Sequence, residues 1–370
     1  MRGSDSMNIR QLSIIMLLYV LGGAISLLPS VFAKFAGEAA WLASIGGMGM
    51  ACFFALLYSG LYKRMNAQSI DEYAFKKLGR LAGGVINLFL LLLAMILIAG
   101  NIRNIVGFLT IQLLPETPMT VLIFVVVLLT SYAMKVGLTS IARAGELFFP
   151  FILFILFIFI IFLTNDARLE ELEPILGYGW EGIAKGALFF QTFPFWEMVL
   201  FLSIAPMATS RATMLRKAFL FSIIFGGAII TMLTLFCIMI EGAELTGYNV
   251  FPTFRLAQSL HGGGFFGRLE ILMAGIWFVT IFFKTAVCYY VSLTLFARMV
   301  RSKEWKPFIY PFGFFMVPFT LVISPNSTYS GYATMKIIPV LTFIGGVGIP
   351  LILLASTFVG KTRGENINER

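Results

Sequence analysis

The sequence predicts an all-α polytopic membrane protein of about ten transmembrane helices, built as two five-helix repeats of opposite orientation in which helices one and six are broken. Three observations predict it. Of the 370 residues, 59% are hydrophobic and only 12% charged, and a mean hydropathy of +0.92 leaves no stretch polar enough for a separate soluble domain. Apolar runs of membrane length follow one another along the whole chain. Two of them are interrupted by glycine and proline at corresponding places in the two halves, at Gly22-Gly23-Ala24-Ile25-Ser26-Leu27-Leu28-Pro29 and at Thr192-Phe193-Pro194.

In chain order the predicted spans are 10–34, 39–62, 81–113, 118–136, 141–164, 183–206, 213–240, 268–300, 307–324 and 334–359. An even number puts both termini on one side. The loops on that side carry most of the Lys and Arg, among them Lys63, Arg64, Lys76, Lys77, Arg80, Arg216, Lys217, Arg301 and Lys303. The other side holds Lys34, Arg168, Lys185, Arg255, Arg268 and Lys336, so both termini are predicted to be cytoplasmic. Spans three and eight run to about 33 residues, roughly 50 Å of helix against a hydrocarbon core of about 30 Å, and must tilt or project. Each is third in its group of five, just as the broken spans one and six are each first. This pairing favours a LeuT-like core over an arbitrary bundle. Residues 1–6 read as an expression-tag remnant, 7–360 as a single transmembrane domain and 361–370 as a cytoplasmic tail.

Two connections are more than turns. Residues 66–79 alternate apolar and charged positions at helical spacing, with Ser69 ahead of Asp71 and Glu72 as the start of a helix lying along the membrane surface. Residues 249–260 read as a short helix stopped by Gly262-Gly263-Gly264, capping the outer face.

The net charge of +9 is scattered over short loops, which fits membrane topology and not nucleic-acid binding. Cys52, Cys237 and Cys288 fall within apolar spans and His261 in a loop, so no disulfide framework, metal cluster or cofactor is predicted. No nucleophile-and-base constellation or phosphate loop occurs, and no enzyme is predicted.

Function is expected where the spans break. A membrane-buried carboxylate, Glu197, costs at least about 2.5–3.5 kcal/mol unless protein or water compensates it. An unwound span exposes amides at the start of its outer half, here 24–27, suited to a ligand carboxylate; it exposes carbonyls at the end of its inner half, here 191–193, suited to an ammonium. The candidate ligand-binding residues are Gly22, Gly23, Ala24, Ile25, Ser26, Asn101, Asn104, Thr192, Phe193, Pro194 and Thr285. The candidate charge-carrying residues are Glu197, Lys284 and Arg103. The competing reading makes Gly22, Gly23, Pro29 and Pro194 ordinary packing kinks. Lys284 lies near the middle of span eight on one face with Thr280, Cys288 and Ser292. In sodium-coupled proteins of this fold a sodium ion bridges spans one and eight. Lys284 either replaces it through the Gly22 and Gly23 carbonyls, making the protein sodium-independent, or forms a structural ion pair with Glu197; the two are compatible. Arg103, about 9 Å from the centre of its span at helical rise, either snorkels outward or pairs with Glu197. Phe193, Phe195 and Trp196 are expected to shape a pocket, and the aromatic run 154–162 to face lipid.

The segments Glu173-Pro174-Ile175-Leu176-Gly177-Tyr178-Gly179, Phe193-Pro194-Phe195-Trp196-Glu197, Phe251-Pro252-Thr253-Phe254-Arg255-Leu256-Ala257-Gln258 and Arg268-Leu269-Glu270 leading into 277–284 resemble, in this order and spacing, the spore germination permease family. These are the B subunits of Ger-type nutrient germinant receptors, within the amino acid/polyamine/organocation superfamily. The resemblance covers residue 7 to about 360. It implies a permease-like domain in the spore inner membrane that senses a small germinant, an amino acid first of all, between spans one, three, six and eight. It also implies an A-type membrane subunit and a C-type lipoprotein subunit as partners. The segment 63–80 would then dock a partner, where its residues alone suggest that it rests on anionic lipid. Two other classes compete: a proton-coupled, sodium-independent amino acid transporter with Glu197 as the coupling carboxylate, and a membrane scaffold with a vestigial pocket.

Overall fold

The computed structural model describes residues 6–174, 177–259 and 269–365, with side chains to residue 357. The expected tag residues 1–5, Ile175 and Leu176, the 260–268 stretch with His261, the glycine stop and Arg268, and the last five residues of the tail lie outside the described residues.

All regular structure among the described residues is helical. Nine helical stretches are long and apolar enough to cross a membrane, with Ile9–Leu21 as a shorter apolar helix. One of the nine, Ala24–Arg64, turns at Gly37 (φ 56°) and comprises Ala24–Ala36 and Ala40–Arg64. Joining Ile9–Leu21 to Ala24–Ala36 across Gly22-Gly23 gives span 1, and Ala40–Arg64 is span 2. Span 3 lies in Ile70–Leu113, span 4 is Met119–Val136, span 5 Leu138–Leu163 and span 6 Gly179–Met207. Span 7 is Ala212–Tyr248, span 8 Leu269–Met299, span 9 Lys306–Ile323 and span 10 lies in Ser327–Thr357. The face holding Asn8 and the end of span 10 is called the terminal face below, and its opposite the distal face.

Local chemistry sets the boundaries. Span 1 starts with a reciprocal cap: Asn8 Oδ1 accepts from the Gln11 amide (2.8 Å) and Gln11 Oε1 from the Asn8 amide (3.0 Å). Its first half ends because Gly23 adopts φ 78°, a left-handed conformation open to glycine at no steric cost. Span 6 is interrupted over Gln191–Phe195, where Phe193 is extended (φ −148°, ψ 106°) and Pro194 lacks an amide to continue the ladder. Span 10 begins earlier than the hydropathy predicts, at Ser327, because Asn326 Oδ1 caps the Tyr329 amide at 2.8 Å. Span 7 runs past residue 240 to Tyr248, bending at Gly242 (φ 77°). The surface helix predicted at 66–79 starts at Ile70, and Gly79 (φ 78°) separates it from span 3. Ser69 occupies its N-cap position without capping; its Oγ accepts from Arg298 instead, at 2.7 Å.

The first half of span 1 is enclosed by protein, with Leu12 and Met16 to Leu21 fully buried. Spans 4, 5 and 9 turn large apolar side chains outward, including Leu128, Phe151, Phe157 and Phe314, the lipid-facing belt that a bundle in a bilayer requires. The 154–162 run is one-sided: Phe154 and Phe157 are exposed while Phe159 is completely buried.

Spans 6 and 10 touch backbone to backbone. A Cβ built on Gly346 would lie 2.5 Å from the Trp196 carbonyl oxygen, whereas one on Gly348 would meet nothing within 4 Å. Gly346→Ala is therefore expected to lower stability by about 1–3 kcal/mol, the usual cost of overpacking, and Gly348→Ala to leave it nearly unchanged. Thermal unfolding of the two variants in detergent micelles checks this.

Candidate functional site

The two broken spans meet at an ion pair. Lys284 Nζ of span 8 lies 2.7 Å from Glu197 Oε2 of span 6, both side chains having 0% exposure. The same oxygen accepts from the Tyr19 hydroxyl of span 1 at 3.1 Å. The ammonium sits 3.5 Å from the centroid of the Phe193 ring and 5.0 Å from that of Tyr19, a cation–π arrangement on two sides. One cluster thus ties spans 1, 6 and 8 together. Of the two courses read for Lys284, the ion pair with Glu197 is the one present. No hydrogen bond from Nζ to Gly22 or Gly23 occurs among the described residues. In a low-dielectric interior a carboxylate holds an ammonium more strongly than neutral carbonyls do.

Gly22 still packs against span 8. A Cβ there would lie 2.8 Å from the Thr280 carbonyl oxygen and 2.9 Å from Lys284 Cβ. The Phe193 ring fills the space between the breaks, its Cζ 3.2 Å from where a Gly23 Cβ would stand.

The open space lies to the distal side of that ring. A cavity of about 160 Å³, some ten times the volume one water needs, is lined by spans 1, 3, 6 and 10 and the span 9–10 connection. Span 1 contributes Leu27, Leu28 and Val31, and span 3 contributes Ile96, Leu97, Gly100, Asn101, Arg103 and Asn104. Span 6 contributes Phe189, Thr192, Phe193 and Glu197. Ile323 and Ser324 with Tyr329, Ser330, Ala333, Thr334, Ile337, Ile338 and Leu341 complete the wall. The cavity thus runs from the distal end of spans 9 and 10 down to Glu197, whose Oε1 has no hydrogen-bond partner among the described residues.

The candidate residues fall into groups. Asn101, Arg103, Asn104, Thr192, Phe193 and Glu197 are brought together around this cavity. Ile25 and Ser26 instead line a void of about 10 Å³ with Phe108, Phe254, Met273 and Trp277, beneath the short helix Pro252–Ser259. Gly22, Gly23, Ala24, Pro194, Thr285 and Lys284 line neither space. Thr285 Oγ1 donates to the Ile281 carbonyl within its own helix at 2.8 Å, and the Leu27 amide is bonded to the Gly23 carbonyl at 3.1 Å. Thr192 Oγ1 donates to the Phe189 carbonyl at 2.7 Å. Arg103 does not pair with Glu197, whose cation is Lys284. Of Phe193, Phe195 and Trp196, the three aromatics expected to shape the pocket, Phe193 lines the cavity; Phe195 packs on Phe190 and Trp196 on Phe54 and Phe343.

Packed clusters lie at both ends of the bundle. On the distal face the helix Pro252–Ser259 sits in an aromatic cluster, Phe108 with Phe251, Phe254, Trp277 and Phe278 at centroid distances of 4.7–5.6 Å. Arg255 pairs with Glu241 at 3.5 Å. On the terminal face Arg298 at the end of span 8 pairs with Asp71 and with Glu72 (3.1 Å), clasping the surface helix. Glu146 takes Arg10 at 3.5 Å and Gln11 Nε2 at 3.0 Å.

Three features escape the sequence reading. Tyr19 is one hydroxyl three residues ahead of the glycine pair, a signal that was present. Ser330, Thr334, Ile337, Ile338 and Leu341 follow helical spacing along one face of span 10, legible as a stripe once the span is started at residue 327. The Arg298 clasp joins residues too far apart in the chain for any spacing to reveal.

Comparison with known proteins agrees with this architecture. The profile of the spore permease family, described as spore germination protein, matches residues 6–328. Spore germination protein KB of Bacillus subtilis (strain 168) is 23% identical over 336 residues, covering 90% of this chain and 89% of that one. Spore germination protein GerLB of Bacillus cereus is 28% identical over 235 residues, 60% of each. Among solved structures, MhsT in complex with L-phenylalanine superposes with a TM-score of 0.68 at 13% identity, over 95% of this chain and 88% of its own. A manganese transporter of Eremococcus coleocola does so at 0.51 and 12%, over 91% and 77%. These likenesses carry the fold, which is LeuT-like with helices 1 and 6 broken. A multi-pass membrane chain of this fold, matched by the profile over most of its length, belongs to the spore germination permease family.

Proposed function

We propose that this chain is the nutrient-sensing B-type subunit of a spore germinant receptor, and that it binds an amino acid in the cavity between spans 1, 3, 6 and 10. The observation that carries the reading is the cavity ending on Glu197, whose other carboxylate oxygen belongs to the ion pair joining spans 1, 6 and 8. A ligand seated there touches both broken helices and span 3. It therefore binds two arrangements of the bundle with different affinity, and only that difference shifts their populations. In MhsT, a protein of the same fold, an amino acid is bound. The reading places the chain in the spore inner membrane with both termini cytoplasmic, beside an A-type membrane subunit and a C-type lipoprotein subunit, with the helix around 70–78 on the face that meets them.

Thermal unfolding of the purified chain against a panel of amino acids and sugars tests this. A ligand at one hundred times its dissociation constant adds about 2.7 kcal/mol. Gly100 lines the cavity and a Cβ on it would meet nothing within 4 Å, so Gly100→Leu is expected to abolish the shift while melting unliganded close to the parent. Absence of a shift from every compound, or an unaltered shift in Gly100→Leu, overturns the site. Because Lys284 already supplies a cation at the junction of the breaks, the shift is expected to be the same in sodium and in choline buffers; a sodium requirement overturns that part.

One observation favours the transporter reading. Glu197 lines the cavity, and its Oε1 has no hydrogen-bond partner among the described residues, as a coupling carboxylate would require. Accumulation of labelled ligand by proteoliposomes under a proton gradient would establish it, and binding without accumulation is expected of the sensor.

A further inference from the structure

Charged side chains in the described bundle are matched with partners where they are deeply buried, with one exception. Lys284 has Glu197, and Arg298 has Asp71 and Glu72. Arg103 is only 6% exposed and, among the described residues, makes no ion pair or hydrogen bond. A guanidinium keeps its charge, and one left without a carboxylate inside a membrane bundle must face water or a ligand. Arg103 lines the cavity.

Its surroundings narrow what would answer it. Asn101 and Asn104, one turn apart, line the same wall, although the Asn101 Nδ2, without a partner among the described residues, is itself fully buried. Leu97, Gly100, Asn101 and Asn104 stand at i, i+3, i+4 and i+7 on one face of span 3, and Ile96, Gly100 and Arg103 at i, i+4 and i+7 on the adjoining one. Across the space, Ser330 and Thr334 add hydroxyls, and no other ionised group except Glu197 reaches the lining. A planar fork of N–H donors matches a carboxylate bidentately. The remainder of the wall is largely apolar and holds no second cation, which disfavours a polyanion such as a phosphate. The start of the second half of span 1, the other place where a carboxylate could be met, does not line this cavity, since Ile25 and Ser26 face the small void beneath the short distal helix.

We infer that the Arg103 guanidinium holds the carboxylate of the ligand, and that the ligand's amino group lies toward the Glu197 end of the cavity. The assignment rests on the cavity being the ligand site. It makes a free α-carboxylate a condition of recognition and leaves the side chain to the apolar wall.

The test compares L-alanine, L-valine, L-leucine and L-phenylalanine with their carboxamides, and with glucose and fructose, as stabilisers of the full-length chain in lipid nanodiscs. At least one acid is expected to raise the melting temperature, with its carboxamide at least tenfold weaker in apparent affinity. Arg103→Gln is expected to erase that preference and Arg103→Lys to keep part of it. Unliganded, Arg103→Gln is expected to melt no lower than the parent, because no ion pair or hydrogen bond among the described residues is lost. A carboxamide that binds as well as its acid, or an acid preference surviving in Arg103→Gln, overturns the clamp while Gly100→Leu still locates the ligand in the cavity. A lowered unliganded melting temperature in Arg103→Gln overturns it in favour of a purely structural arginine. No shift from any compound removes the site and the clamp together.

Discussion

Replacing Lys284 by methionine is expected to cost the protein about 3–5 kcal/mol of stability, the usual penalty for stranding one member of a buried ion pair. The Glu197 carboxylate would keep the Tyr19 hydroxyl but lose the ammonium that neutralises it, in a place with no exposure to water. Glu197→Gln strands the ammonium in turn and is expected to fall by a similar amount. The double variant Glu197→Leu/Lys284→Met removes both charges and is expected to recover most of the loss, because a pair buried this deeply contributes little net stability over an apolar packing of similar volume. Unfolding of the two single variants and the double variant in micelles gives the coupling between the sites. Additive losses would mean that the two charges do not depend on each other.

Arg298→Ala is expected to open the terminal face. Asp71 is 2% exposed and pairs with the Arg298 guanidinium, while Arg298 itself is about one-third exposed at 35%. Partial solvent screening of that guanidinium reduces the expected loss to about 1–3 kcal/mol. The effect is local, so hydrogen exchange is the better measurement: amides in 70–78 are expected to exchange faster while those around Lys284 stay protected. Uniform loss of protection would show that the clasp supports the whole fold.

The elements legible in the sequence are those whose cause is local. Gly22-Gly23 and Pro194 interrupt helices through their own backbone chemistry, and the length of spans 3 and 8 follows from hydropathy alone; their pairing in the two halves is the fold that the structure has. Asn101, Arg103, Asn104, Thr192, Phe193 and Glu197 line one cavity because each lies on the inward face of a span whose depth the sequence does indicate. The position of that cavity was not legible. Which face Ser26 presents depends on the helix Pro252–Ser259 packed over it, and the ring of Phe193 takes the space between the breaks. Span 10 contributes a third of the wall with no break or charge to mark it. Lys284 was placed between two partners by its position, and the choice of Glu197 follows from how side chains pack.

Span 8 carries Lys284 and Arg298 on one continuous helix, Leu269–Met299. The fourteen helical steps from one to the other make an arm of about 21 Å, so a tilt of about 10° about the Lys284 end would swing the Arg298 end by roughly 4 Å. That displacement exceeds the 3.1 Å separating Arg298 from Glu72. Gly22 leaves no room for span 8 to turn alone, so such a swing carries the first half of span 1 with it. Under the proposed function, a ligand that tilts span 8 by a few degrees would therefore break the Arg298–Glu72 contact at the opposite surface.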